Sequence, residues 1–286
     1  MDQITQSTRT TSQDDARPKI FVNSLPKSGT HLLTSILDNI SGLKYQKPAL
    51  NRNLRWRPID YVRLWDQRTC LVGIGRPRKV KLATLYHILN GLHPGRYLIG
   101  HVPYQECVHD SLNSFGIRTL FVTRDPRDVV VSQVHYVLKR KFHHLHKDFK
   151  RLRTDKERII TAILGIRKSN SVKSRGIAEK LTSTLKWADQ ESVMVLHFEE
   201  LIGERGGGSL ESQEKAIMNI GKHIGIEIGV EEAHSIGESA FGKGHTYRKG
   251  KIGGWQDVFD KDVKDIFKRA AGEHLVNMGY EGDQNW

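Results

Sequence analysis

The run Ile20-Phe21-Val22-Asn23-Ser24-Leu25-Pro26-Lys27-Ser28-Gly29-Thr30 decides the fold class. Its first three residues read as a short buried strand, and Pro-Lys-Ser-Gly-Thr has the composition of a loop. Beyond it Leu32, Leu33, Ile36, Leu37 and Ile40 recur at helical spacing. Strand, loop and helix in that order put backbone N–H groups at a helix N-terminus, where an anion is favoured. Gly29 lets a phosphate-sized group come close, Lys27 adds a cation, and Ser28 and Thr30 add hydroxyls. A Walker A loop needs GxxxxGK[ST], whereas here Lys and Ser precede the glycine and the upstream glycine is absent.

Three further apolar runs lie outward from this one. Tyr97-Leu98-Ile99 stops at Gly100-His101-Val102-Pro103, and Thr119-Leu120-Phe121-Val122 stops at Thr123-Arg124-Asp125-Pro126. Val193-Met194-Val195-Leu196 stops at His197-Phe198-Glu199-Glu200. Short apolar runs separated by helical patterns predict an α/β fold in one domain, with a mainly parallel, roughly five-stranded sheet flanked by helices on both faces. Ligands gather at the carboxyl ends of such strands, so the four segments converge on one site. A helix is expected from Pro126 through Val131, Val134 and Val137, and others over 211–223 and 260–277. Residues 139–190 read as a long basic helical region, and 44–81 as irregular surface segments, a flap over a ligand. Residues 1–17 are polar and aperiodic and read as a disordered leader, leaving 18–286 as the domain.

The 286 residues are 37% hydrophobic and 27% charged, the balance of a globule with a real core. Lys and Arg number 45 against 32 Asp and Glu, a net +13 that calls for a polyanionic partner: nucleic acid, acidic lipid or a phosphate-rich small molecule. No stretch approaches the ~20 apolar residues of a membrane span, and the first residues have no apolar core of a secretory signal. Two cysteines without CxxC spacing make no disulfide framework, so a reducing cytoplasm is the expected compartment.

Two more segments join the loop. Thr123-Arg124-Asp125-Pro126-Arg127-Asp128-Val129-Val130-Val131-Ser132 follows the third run, and Tyr247-Arg248-Lys249-Gly250-Lys251-Ile252-Gly253-Gly254-Trp255 lies near the C-terminus. Together with Pro26–Thr30, and in this order, they resemble the signatures of the sulfotransferases that use 3′-phosphoadenosine 5′-phosphosulfate (PAPS), over roughly residues 19–280. The resemblance implies a P-loop-like phosphosulfate loop, with Lys27 on the leaving phosphate and Ser28, Gly29, Thr30 and His31 around it. It assigns Arg124 and Ser132 to the donor's 3′-phosphate, with Arg248, Lys249 and Gly250 closing over the same group. Phe198 falls where the family has a tyrosine against the adenine. His101 matches the histidine that takes the acceptor's proton, a role suited to a group whose ordinary pKa lies near operating pH. The implied reaction moves a sulfuryl group to a hydroxyl or amine of a small-molecule acceptor and releases adenosine 3′,5′-bisphosphate (PAP). No metal is expected.

The chain departs from the family at several places. The adenine-stacking Trp of the donor loop is Leu32, the lysine two residues before the histidine is Ile99, and the Asp of Gly-Asp-Trp is Gly254. Trp255 or Phe241 is expected to stand in for the missing ring. The family's dimer motif would begin at Gln256, but Asp260 and Lys261 replace its Thr-Val, so dimerisation by that route is not expected. His143, His144 and His146 read as part of a solvated basic face. Arg124 is expected to face the phosphate, with Ser132 in register, rather than to pair with Asp128. A P-loop kinase or NTPase and a basic nucleic-acid-binding protein are the rival readings, and neither accounts for three ordered motifs.

Overall fold

Strand β1 (Lys19–Ser24) is buried along all but its first residue because it lies at the middle of the sheet. The computed structural model describes residues 17–47, 49–50, 68–168, 171–241 and 250–286. After β1 come α1 (Thr30–Asn39), β2 (Lys44–Tyr45), β3 (Thr69–Val72), β4 (Arg78–Lys81), α2 (Leu82–Asn90) and β5 (Arg96–Gly100). Next are α3 (Glu106–Ser114), β6 (Ile117–Thr123), α4 (Pro126–Lys139), α5 (His146–Arg151), α6 (Asp155–Leu164), β7 (Gly165–Lys168), β8 (Ser171–Arg175) and α7 (Ile177–Thr182). The chain continues with β9 (Val193–His197), α8 (Phe198–Leu201), α9 (Leu210–Ile224), α10 (Val230–Ala240) and α11 (Lys261–Asn277).

Five strands form one parallel sheet in the order β2-β5-β1-β6-β9. The two-residue period of a strand sorts its side chains between two cores. Ile20, Val22, Tyr97, Leu120 and Val122 pack with α1, α9 and α10 on one face. Phe21, Leu98 and Phe121 pack with Leu85, Leu89, Val108 and Leu112 of α2 and α3 on the other. A third cluster, around Val130, Val134, Phe149, Ile159, Ile177, Phe267 and Leu275, joins α4 to α7 and α11. The expected sheet, the helix from Pro126 and the two later helices are all present. Asp125 caps α4 by accepting from Arg127 N at 2.8 Å, with Pro126 in the first turn, where its missing N–H costs nothing.

Two regions differ from expectation. Residues 44–81 are not simply irregular: Lys44–Tyr45 supplies the fifth strand, and β3 and β4 pair as an antiparallel hairpin whose Cys70 and Val72 are buried. Residue 48 and residues 51–67, nearly half of the expected flap, lie outside the described residues. The basic region 139–190 is broken by an antiparallel hairpin, β7–β8. The break follows from two glycines that cross. A Cβ at Gly165 (φ +84) would meet Gly176 N at 2.5 Å, and one at Gly176 would meet Ile163 O at 2.6 Å. Helical periodicity does not register a backbone crossing of that kind.

Candidate active site

The parallel registers bring four strand ends to one edge. Asn23 is opposite Gly100, Ser24 opposite Val122, and Thr123 opposite His197. The loop after β1 turns sharply: Lys27 has φ +80 and Gly29 φ +104, and Ser28 N donates to Leu25 O at 3.1 Å. A Cβ at Gly29 would also lie 2.7 Å from the Phe198 ring, so only glycine fits there. The Ser28 side chain is wholly buried, and its Oγ has no hydrogen-bond partner among the described residues. Burial, then Arg124 and Arg140, lower the Lys27 ammonium pKa to about 8, and its Nζ sits 4.4 Å from the Tyr136 ring centroid.

His101 is held from two sides. Its Nδ1 lies 2.8 Å from Ser24 O; a carbonyl only accepts, so Nδ1 carries the proton and Nε2 keeps its lone pair. Ser24 Oγ is in turn 2.6 Å from Thr30 Oγ1, so one residue ties the histidine to the anion loop. Behind it, Asn23 exchanges two hydrogen bonds with the Val102 backbone at 2.9 and 3.0 Å, and Trp187 Nε1 donates to Val102 O at 3.0 Å. Burial lowers the His101 pKa, against the raising effect of the Ser24 carbonyl and with Lys27 and His31 adding to the fall. The imidazole is therefore neutral at neutral pH.

Arg124 does pair with Asp128, at 3.3 Å, contrary to expectation. The same guanidinium donates to Lys251 O at 2.8 Å, lies 4.1 Å from the Phe198 ring centroid, and leaves its Nε buried without a partner among the described residues. Asp128 is the hub of this corner: it also accepts from Gly253 N at 3.0 Å and Trp255 N at 2.9 Å, which fixes the strap 250–259 across α4. The strap's other edge is held by Ile252 N donating to Gly206 O at 3.1 Å. Beside Asp128, Asp125 pairs with Arg127, and Arg127 reaches Glu281 and stacks on Trp255 and Trp286. Glu199 accepts from Asp125 N and Tyr280 Oη, each at 3.0 Å.

These loops enclose a cavity of about 740 Å³. Lys27, Gly29, Thr30, His31, His101, Arg124, Ser132, Phe198 and Gly250 all line it, while Ser28 lies beneath the loop. Arg248 and Lys249 lie outside the described residues. Phe198 is both core and wall, packed with α1 residues yet facing the cavity. Leu32, Ile99 and Gly254, the three departures from the family pattern, line the cavity too. Trp255 does not: it is buried against Arg127, Phe259 and Trp286, so it does not replace the missing ring, and Phe241 packs on the first core cluster instead of lining the cavity. Sequence reading missed Asn23, Ser24, Asp128 and Tyr136. A polar Asn-Ser pair closing an apolar run was the available signal for the first two.

The family model for the sulfotransferase domain matches residues 17–279, so the chain belongs to that family. No curated protein sequence matches it. Among solved structures it is similar to the mouse sulfotransferase SULT7A1 complexed with PAP, at 17% identity and TM-score 0.61, over 92% of this chain and 86% of that one. It is also similar to a retinol dehydratase in complex with androsterone and the inactive cofactor PAP, at 17% identity and TM-score 0.53, over 91% and 81%. Among the described residues, no helix is long and apolar enough to cross a membrane.

Proposed function

We propose that the chain transfers a sulfuryl group from PAPS to a hydroxyl or amine of a small-molecule acceptor, releasing PAP. One observation carries the reading: Ser24 holds His101 through Nδ1, leaving Nε2 to accept a proton, and also holds the Thr30 end of the anion loop, and His101 and Thr30 line one cavity. The donor fits the residues present, because an anion in the cavity meets the Lys27 ammonium at the loop and gives the orphaned Arg124 Nε a partner. When bound, it supplies the activated sulfuryl group.

His101 Nε2 takes the acceptor's proton while Nδ1–H stays on the Ser24 carbonyl, which stabilises the imidazolium that forms. Lys27 and the loop amides oppose charge growing on the leaving phosphate. Arg124 and Ser132 hold the 3′-phosphate, joined by Arg248, Lys249 and Gly250, and supply orientation rather than chemistry. With Ile99 in place of a second lysine, Lys27 carries more of that neutralisation.

Calorimetric titration with PAP, ADP and ATP–Mg²⁺ at fixed salt tests the donor. PAP should bind at least about tenfold more tightly than the others, a difference of roughly 1.4 kcal/mol. Tighter binding of ATP–Mg²⁺ hands the cavity to kinase-type chemistry, and no binding of PAP removes the donor. Transfer is then read as PAP release with a phenol, an alcohol and an amine as acceptors.

A further inference from the structure

The net charge of +13 is not spread over the molecule. Segments 76–81, 139–153 and 165–175 hold fifteen of the 45 lysines and arginines and one of the 32 acidic residues, Asp148. The rest of the chain is close to neutral, so its charge surplus belongs to these three pieces. Tertiary structure brings them together. Arg175 N donates to Gly75 O at 2.9 Å, joining β8 to the β3–β4 turn, and Lys173 pairs with Asp148 of α5. Burial, then Arg76 and Lys173, lower the pKa of His144, which places the hairpin tip and β8 beside the 140–145 loop.

This face is not purely charged. Phe142 is 105% exposed, between Arg140 and Lys141 on one side and His143 and His144 on the other. Leu164, the last residue of α6 just before β7, and Val172, near the turn end of β8, are 55% and 37% exposed. Among the described residues these are three of the five large apolar side chains left in solvent, so apolar exposure and positive charge coincide. Nucleic acid offers an aromatic ring something to stack on but gives Leu and Val no apolar phase. A bilayer offers both phosphate and an acyl boundary. The face also adjoins the cavity: Arg140 lies 5.7 Å from the ring centroid of Tyr136, a cavity-lining residue.

We propose that this face docks the protein reversibly on an anionic phospholipid bilayer, with Phe142 inserted at the headgroup–acyl boundary and the surrounding lysines and arginines over the headgroups. Docking turns the cavity rim at Tyr136 and Arg140 towards the lipid, where an acceptor held in the interface would be presented to it. The positions tested, Phe142, Arg78 and Lys79, do not line the cavity, so the test does not depend on which donor the cavity takes.

The full chain is sedimented with phosphatidylcholine vesicles, with and without phosphatidylserine at about a third of the lipid, at near-physiological salt. Binding to the serine-containing vesicles alone is expected. Phe142→Ala, which removes no packing, should weaken it about tenfold, and Arg78→Gln or Lys79→Gln about fivefold each. Unchanged circular dichroism melts show that the variants remain folded. Equal sedimentation with both vesicles, none with either, or indifference to Phe142→Ala overturns the proposal. Salt-sensitive binding of a duplex oligonucleotide without vesicle binding would assign the face to nucleic acid instead.

Discussion

At the residue scale, the decisive contacts are those that leave a functional atom free. His101 spends Nδ1 on the Ser24 carbonyl, so Nε2 is the only ring nitrogen available to a proton donor. His101→Ala should lower turnover by ~10² or more while PAP affinity, read by calorimetry, stays within about twofold. Because burial holds its pKa below 6.5, the acidic limb of the kcat/KM profile should fall below that pH and vanish in the variant. Gly29 is a different constraint. Gly29→Ala combines φ +104 with a 2.7 Å approach to Phe198, and should cost about 1–3 kcal/mol in denaturant titration with a matching loss of PAP affinity. An unchanged midpoint would mean that the loop and the Phe198 ring can shift apart.

At the element scale, the strap 250–259 crosses α4 through one carboxylate. Asp128 meets two backbone N–H groups, one on each oxygen, and a guanidinium. Asn in its place must turn an NH₂ towards one of those N–H groups. Asp128→Asn should therefore cost about 1–3 kcal/mol, visible as a Tm several degrees lower, and speed amide exchange at Gly253 and Trp255. It should also weaken PAP binding, since Arg124 loses the partner that orients it. If exchange at those amides is unchanged, the strap is held by Gly206 rather than by Asp128. The Asp125–Arg127–Glu281 and Glu199–Tyr280 contacts fix the start of α4 to the C-terminal segment, so this corner acts as one unit.

At the scale of the whole molecule, the Lys27 pKa near 8 links ligand binding and stability to pH. The unfolded chain keeps this proton up to about 10.5, so between about 8 and 10.5 it binds more protons than the native state, and the free protein gains stability as pH rises. An anion at the loop restores the ammonium and reverses the sign. Thermal stabilisation by PAP, about 2.7 kcal/mol at a hundred times Kd, should accordingly shrink from pH 7.5 to 9.5. The difference should disappear in Lys27→Met, and persistence there would assign the pH dependence to another group.

The sequence by itself determined the sheet, the anion loop, the helix after Pro126 and the family, because a period of two or of 3.6 and the Pro-Lys-Ser-Gly-Thr turn are properties of neighbouring residues. It also placed His101 and Arg124 at strand ends and Ser132 on the helix after Pro126, and all three line one cavity. Only the tertiary structure decided that Asp128 holds the strap 127 residues away, that Ser24 sets the His101 tautomer from 77 residues away, and that Trp255 faces the core. In the first two cases the partner is a backbone N–H or C=O, a group nearly every residue owns, so no residue type marks it in the chain. The same holds for the crossing at Gly165 and Gly176 and for the gathering of three basic segments on one face. Each depends on which distant pieces of backbone meet.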